Sequence, residues 1–195
     1  MKKISLKLYF LLLIAIVAIF LNCNLTLAES KVLSGQAFDV FKIGDSIIDF
    51  QNKIKQSSYN NWSFKHNKLD RWNYVLTSKE DPNLSISFCF DNNILKAILI
   101  HEGYSECKNQ KYPSFNVDNK EVTLNKTTET KLKQLFPTNE PYSYGVLGLL
   151  DIKKGLDFHL YDDQCNPANK DVIVKSIIIF EKNNTFLFDS GEEGI

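Results

Sequence analysis

The sequence predicts an α+β fold of two tandem units, each a helix packed on an antiparallel β-sheet, behind an N-terminal signal peptide. Three observations lead there. First, the same order of elements occurs twice: Phe38 leads to Ile43-Gly44-Asp45-Ser46 and a helical stretch to about Lys55, and Phe115 leads to Leu124-Asn125-Lys126-Thr127 and a helical stretch to Phe136. Second, each helical stretch is followed by strand-like runs, Leu84 to Phe90 and Leu95 to Glu102 in the first half, Gly155 to Tyr161 and Val172 to Glu181 in the second. Third, two short segments match between the halves: Lys96-Ala97-Ile98-Leu99-Ile100 with Lys175-Ser176-Ile177-Ile178-Ile179, and Ser87-Phe88-Cys89-Phe90 with Asp157-Phe158-His159-Leu160. The offset drifts between helices and strands, so the alignment contains insertions. The expected division is residues 1–28 as signal peptide, 29–108 and 109–188 as the two units, and 189–195 as a flexible tail.

Taken in order, Lys2, Lys3 and Lys7 precede an apolar run from Leu8 to Leu21, and Thr26-Leu27-Ala28 places small side chains before Glu29. This is the layout of a secretory signal, with Glu29 as the first residue of the mature chain. The apolar core is short for a membrane span, which needs about 20 residues. Cys23 offers a second route, since an exported chain can be cleaved before a cysteine that then carries lipid, although Asn22 suits such a site poorly.

Each helix has its own start signal and apolar stripe. Ser46 with Asp49 three residues later has the character of a capping pair, and Asn125 or Thr127 is placed to cap the second helix with Glu129 in its first turn. Ile47, Phe50 and Ile54 recur at helical spacing, as do Leu132, Leu135 and Phe136, and Pro137 ends the second helix. The strands alternate. Ile86, Phe88 and Phe90 oppose Ser85, Ser87 and Cys89, while Leu156, Phe158 and Leu160 oppose Asp157, His159 and Tyr161, so one side is expected to be core and the other wetter. Asp91-Asn92-Asn93 has the residues of a tight turn, making Leu84 to Glu102 a hairpin with Cys89 opposite about Lys96. Trp72, Tyr74 and Leu76 mark a further strand in the first half, and Val146 to Ile152 one in the second.

An Ile-Gly-Asp-Ser helix start followed by an antiparallel sheet, doubled behind an export signal, resembles the small exported α+β modules of outer-membrane-assembly lipoproteins and the tandem β-lactamase-inhibitor protein fold. Ile43 to Ser46, Phe88 to Asp91 and Ile98 to Ile100 carry the resemblance. The chain also resembles bacterial exported domains of unknown function. The second copy departs from the motif, with Asn125-Lys126-Thr127 in place of Gly44-Asp45-Ser46. The resemblance implies a module that binds proteins rather than turning over substrates, and it transfers no contact residues.

Composition excludes several classes. The full chain carries 23 basic and 23 acidic residues, and loss of the signal removes three lysines and no acids, leaving a mature charge of −3. That mild acidity, without a basic cluster, argues against a nucleic-acid partner. High aromatic content with few glycines and prolines excludes disorder for most of the chain. The richness in lysine, asparagine and isoleucine points to a bacterial source, where the Asn-x-Ser/Thr sites are without meaning.

Cleavage after Ala28 leaves Cys89, Cys107 and Cys165, an odd number for an oxidising compartment. Cys107 and Cys165 both fall in expected loops and form the candidate disulfide; three unpaired thiols are the alternative. Cys and His spacing suited to zinc is absent, and no cofactor is expected. His101-Glu102 lacks the second histidine of a helical zinc-protease motif and is expected as a solvated pair. His159 between Asp157 and Asp162-Asp163 is expected as a surface polar patch. No Gly-x-Ser-x-Gly or phosphate-binding glycine loop occurs. The expectation is therefore a non-enzymatic, exported protein of the periplasm or cell envelope that binds another envelope protein, with Trp62, Trp72, Tyr142 and Tyr144 as the candidate surface. Membrane contact is expected only through the signal or a lipid at Cys23. The alternative is a small hydrolase or ligand-binding protein with its site at His159 and Asp157.

Overall fold

A computed structural model describes residues 30–68, 70–103, 112–144, 146–163, 165–166, 168 and 170–184. The fold is mixed α and β, dominated by strands. Three short strands come first, β1 (Lys31–Leu33), β2 (Ala37–Phe38) and β3 (Phe41–Lys42), followed by helix α1 (Ile47–Gln56) and a 3₁₀ turn at Ser58–Asn61. The first-half meander is β4 (Ser63–His66), β5 (Tyr74–Thr77), β6 (Leu84–Asp91) and β7 (Ile94–Glu102). The second half has β8 (Ser114–Val117), β9 (Lys120–Thr123), α2 (Glu129–Leu135), β10 (Glu140–Tyr144), β11 (Val146–Asp151), β12 (Leu156–Tyr161) and β13 (Ile173–Phe180).

The meanders do not form separate sheets. Strands β7 and β13 pair antiparallel, which gives one eight-stranded sheet in the order β10-β11-β12-β13-β7-β6-β5-β4. A second sheet, β3-β2-β1-β8-β9, is likewise joined between halves by the parallel pair β1–β8. One buried cluster takes side chains from both sheets and both helices, including Val32, Phe41, Phe50, Val117, Leu132, Ile100 and Ile177. The five-stranded sheet has no counterpart in the sequence expectation, because strands of two to four residues are too short to show a period.

Local chemistry sets the boundaries. Ser46 caps α1, its hydroxyl accepting from Asp49 N at 3.1 Å and donating to the Asp49 carboxylate at 2.7 Å. The cap of α2 is Thr128 rather than Asn125 or Thr127; its hydroxyl accepts from Lys131 N at 3.3 Å. Asn125 instead sits at φ 57, and the Thr127 hydroxyl accepts from Thr123 N at 2.8 Å, so both serve the turn before the helix. Asn92 and Asn93 are both left-handed, at φ 49 and 63, as the tight β6–β7 turn requires, and Asp118 and Asn119 repeat this between β8 and β9 at φ 48 and 65.

The two meanders share their irregularities. Each helix cap makes an isolated bridge to the start of the last strand of its half, Ser46 to Ile94 and Thr128 to Ile173. The same backbone bonds recur: Gly44 N to Leu95 O at 2.8 Å and Asn125 N to Val174 O at 2.7 Å, Leu95 N to Asp45 O and Val174 N to Thr127 O both at 2.9 Å. Each hairpin carries a bulge at the same place. Opposite Cys89 and Phe90 stand Ala97 and Leu95, leaving Lys96 unopposed; opposite His159 and Leu160 stand Ser176 and Val174, leaving Lys175 unopposed. The bulge is why Cys89 faces Ala97 and not Lys96. Sequence alternation cannot reveal an inserted residue.

The face away from the helices is less wet than its pattern suggests. Cys89, Ala97, Ile178 and Phe180 form a second buried cluster there, with Trp72, Leu99 and Leu150 against it. Trp72 precedes β5 rather than lying in it. Among the described residues, no helix is long and apolar enough to cross a membrane.

Candidate functional site

The bulge and the register of four strands assemble a polar row across the second half of the large sheet. Tyr142 on β10 opposes Gly148 on β11, Gly148 opposes His159 on β12, His159 opposes Ser176 on β13, and Ser176 opposes His101 on β7. Directly opposed residues share a face. Tyr142, Gly148, His159, Ser176 and His101 therefore stand side by side on the face away from the helices. Asp157, two residues before His159 on the same strand, adds a carboxylate to that face.

Asp157 is the centre of the network. The Tyr142 hydroxyl donates to Asp157 Oδ2 at 2.7 Å, and His159 Nε2 lies 3.2 Å from the same oxygen. Asp157 is fully buried and His159 nearly so. The other oxygen, Asp157 Oδ1, is buried with no hydrogen-bond partner among the described residues. Burial, and then the charge and hydrogen bond of Asp157, push the Tyr142 hydroxyl far above its ordinary value, so it serves as a permanent donor. Gly148 makes this reach possible: a Cβ built on it would overlap the Tyr142 ring, so glycine lets the ring lie across β11 toward Asp157.

The neighbouring pair is Ser176 with His101, Oγ to Nδ1 at 2.8 Å. Burial, then the charges of Lys175 and His159, hold His101 below its usual imidazole range. On the opposite side of β7, Glu102 is fully buried, and burial followed by the charge of Asp81 raises it to about 7. The expectation of solvated His101-Glu102 and of a surface patch at His159 is thus corrected. Pairing of β7 with β13 turned two strands that end each half into the middle of one sheet, and their polar side chains went inside with it.

A serine beside one imidazole and a carboxylate beside another are the parts of nucleophilic chemistry, but Ser176 is almost inaccessible. A cleft of about 310 Å³ is lined by Glu129, Pro141, Tyr142, Ser143, Leu147, Gly148 and Leu160, and so reaches the tyrosine end of the row without the histidines or the serine. Among the described residues, no group of three or more His, Cys, Asp or Glu side chains is placed to hold a metal.

The residues expected as a binding surface stand in different settings. Trp62 packs edge-on to Tyr59 with centroids 5.1 Å apart and lies against the main core, Trp72 lies against the second cluster, and Tyr142 belongs to the Asp157 network; all three are half-buried. Tyr144 is the last residue of β10, and its side chain lies outside the described residues. Cys165 is disulfide-bonded and Cys89 is a free buried thiol, pushed up to about 11 by burial. Cys107 and Cys23 lie outside the described residues. Sequence reading missed Ser176, and the link from Tyr142 to Asp157, because both depend on register between strands distant in the chain.

No family model matches this chain. No curated protein matches it either. Among solved structures it is similar to a cysteine-rich secretory protein from Staphylococcus aureus subsp. aureus Mu50, at 14% identity and a TM-score of 0.29, over 79% of this chain and 50% of that one.

Proposed function

We propose that this chain is an exported, non-enzymatic protein of the bacterial cell envelope, built of two tandem α+β units behind a signal peptide, that works by binding another protein. The observation that carries the tandem reading is the recurrence of irregular features: cap-to-strand bridges at Ser46–Ile94 and Thr128–Ile173, and bulges at Lys96 and Lys175. Regular strands recur in unrelated sheets, whereas a bulge and a cap bridge at matched places are specific to a shared plan. The doubled module resembles exported envelope modules that bind proteins, and this supports the binding role. The experiment is an intact mass of the protein from its native envelope, before and after reduction and alkylation, with crosslinking in the same membranes. A chain starting at Glu29, or at Cys23 with acyl groups, and crosslinked to a second protein supports the reading; an uncleaved chain without crosslinks overturns it.

The Tyr142–Asp157–His159 geometry favours one other reading, a small hydrolase or ligand-binding protein at that network. Its support is the buried Asp157 Oδ1, an acceptor with room for one more donor. Retention of an acyl or phosphoryl ester hydrolysis that Asp157→Asn abolishes would replace the binding role with this one.

A further inference from the structure

We propose that β4 is a docking edge that takes an extended, acidic segment of a protein partner as a ninth strand of the large sheet. This rests on the protein-binding role above and names its surface. Strand β4 ends the eight-stranded sheet and pairs only with β5. The hydrogen bond from Asn67 N to Asn73 O, at 2.8 Å, sets the phase of that ladder. With Phe64 opposite Leu76 and His66 opposite Tyr74, the inward-facing positions are Ser63, Lys65 and Asn67, so the N–H and C=O of Phe64 and His66 point away from β5 into the open edge. Two donors and two acceptors at strand spacing are what an added strand needs.

The side chains choose the partner. All four residues of β4 are exposed, and Phe64, 47% exposed, leans on Tyr74 with centroids 5.7 Å apart while the His66 ring stacks on Tyr74 at 4.3 Å. They present an apolar, aromatic ledge on one face of the edge. Lys65 projects from the other face and Lys68 follows the strand; neither pairs with a carboxylate among the described residues, and Asp70 is engaged by Asn67 and Trp72 N. A lysine on an open edge discourages pairing with another copy of the same strand, because like charges meet. The same lysine attracts a strand whose side chains alternate acidic and apolar, acids against Lys65 and apolar groups against Phe64 and His66, with Lys68 adding positive charge at the end of the edge.

The test uses the full exported chain with two end-blocked synthetic peptides, Glu-Val-Glu-Phe-Glu-Val and its lysine counterpart Lys-Val-Lys-Phe-Lys-Val. The acidic peptide is expected to bind and to shift the backbone amides of Phe64 to Asn67, with little binding of the basic one. The double variant K65E/K68E, changed only at exposed positions, is expected to weaken the acidic peptide about tenfold or more. His66→Pro, which removes an outward N–H, is expected to abolish binding of both peptides. Equal binding of the two peptides, shifts at a different strand, or concentration-dependent self-association through β4 would overturn the proposal. If envelope crosslinks persist in K65E/K68E, the protein-binding role stands and the edge assignment falls.

Discussion

Each half of this molecule has a capped helix bridged to a bulged hairpin, and the two differ in the side chains around it. Inside the first half, Phe50 packs against the rings of Phe41, Phe64, Tyr74, Phe88 and Phe90, with centroids 4.7 to 6.4 Å apart. At the corresponding places the second half has Leu132, four residues after the cap as Phe50 is, with Leu149 and Leu160; its one ring pair among the described residues is Phe136 with Phe158, 5.0 Å apart. The outer face reverses the contrast. Ser87 and Cys89 of the first hairpin correspond in register to Asp157 and His159 of the second. A bulged hairpin bridged to a helix cap therefore tolerates either a ring cluster inside with a quiet outer face or a more aliphatic interior with a buried polar network outside. Side-chain specificity is set within the plan, not by it.

Core truncation should show the largest difference. Phe50→Ala is expected to cost about 3–5 kcal/mol and Leu132→Ala about 2–4 kcal/mol, read from urea midpoints, because the ring loses more contacts than the leucine. Equal costs would mean that the ring network adds nothing beyond buried area. Next comes the outer face: Tyr142→Phe removes one of the two partners of a buried carboxylate oxygen and is expected to cost about 1.5–3 kcal/mol, while Ser87→Ala in the first half is expected below about 1 kcal/mol. Gly148→Ala, which forces the Tyr142 ring off β11, should cost about 1–3 kcal/mol and, by tyrosine fluorescence, break the same contact with Asp157.

The seam between the halves has its own pH signature. Glu102, raised from 4.5 to about 7, supports the fold fully below 4.5 and loses that support as pH rises through 7. His101, lowered from 6.5, supports the fold fully above 6.5 and loses that support as pH falls below it. The two slopes oppose below pH 6.5, so the parent chain should show a shallower profile there than either variant. Glu102→Gln should become less stable on acidification and His101→Asn less stable on neutralisation, by thermal midpoint against pH. Parallel profiles in the two variants would show that the residues titrate as one unit. The smallest effect is at the surface: Lys133→Ala, which breaks the exposed 2.6 Å pair with Glu129 on α2, should cost under about 0.5 kcal/mol.

Much of the scaffold was legible in the residues. The helix stripe of Ile47, Phe50 and Ile54, the Ser46 cap and the Asn92-Asn93 turn are local, and they appear where spacing placed them. The β6–β7 and β12–β13 strands also stand within a residue or two of their expected limits. The candidate site was legible only as residue types. His159 and Asp157 were marked by their clustering, but their surroundings were misjudged, since alternation tells which residues share a face and not what that face meets.

By itself the sequence determined the two helices, the hairpins and the turn residues, because caps, left-handed asparagines and apolar periods act within a few residues of one another. Only the tertiary structure decided that the halves join through β7–β13 and β1–β8, that Lys96 and Lys175 are bulged out, and that Tyr142, Gly148, His159, Ser176 and His101 form one row with Asp157 beside it. Those outcomes depend on register between strands far apart in the chain, 75 positions for His101 and Ser176. Register is chosen by the best joint burial of whole faces, a quantity that no single segment carries.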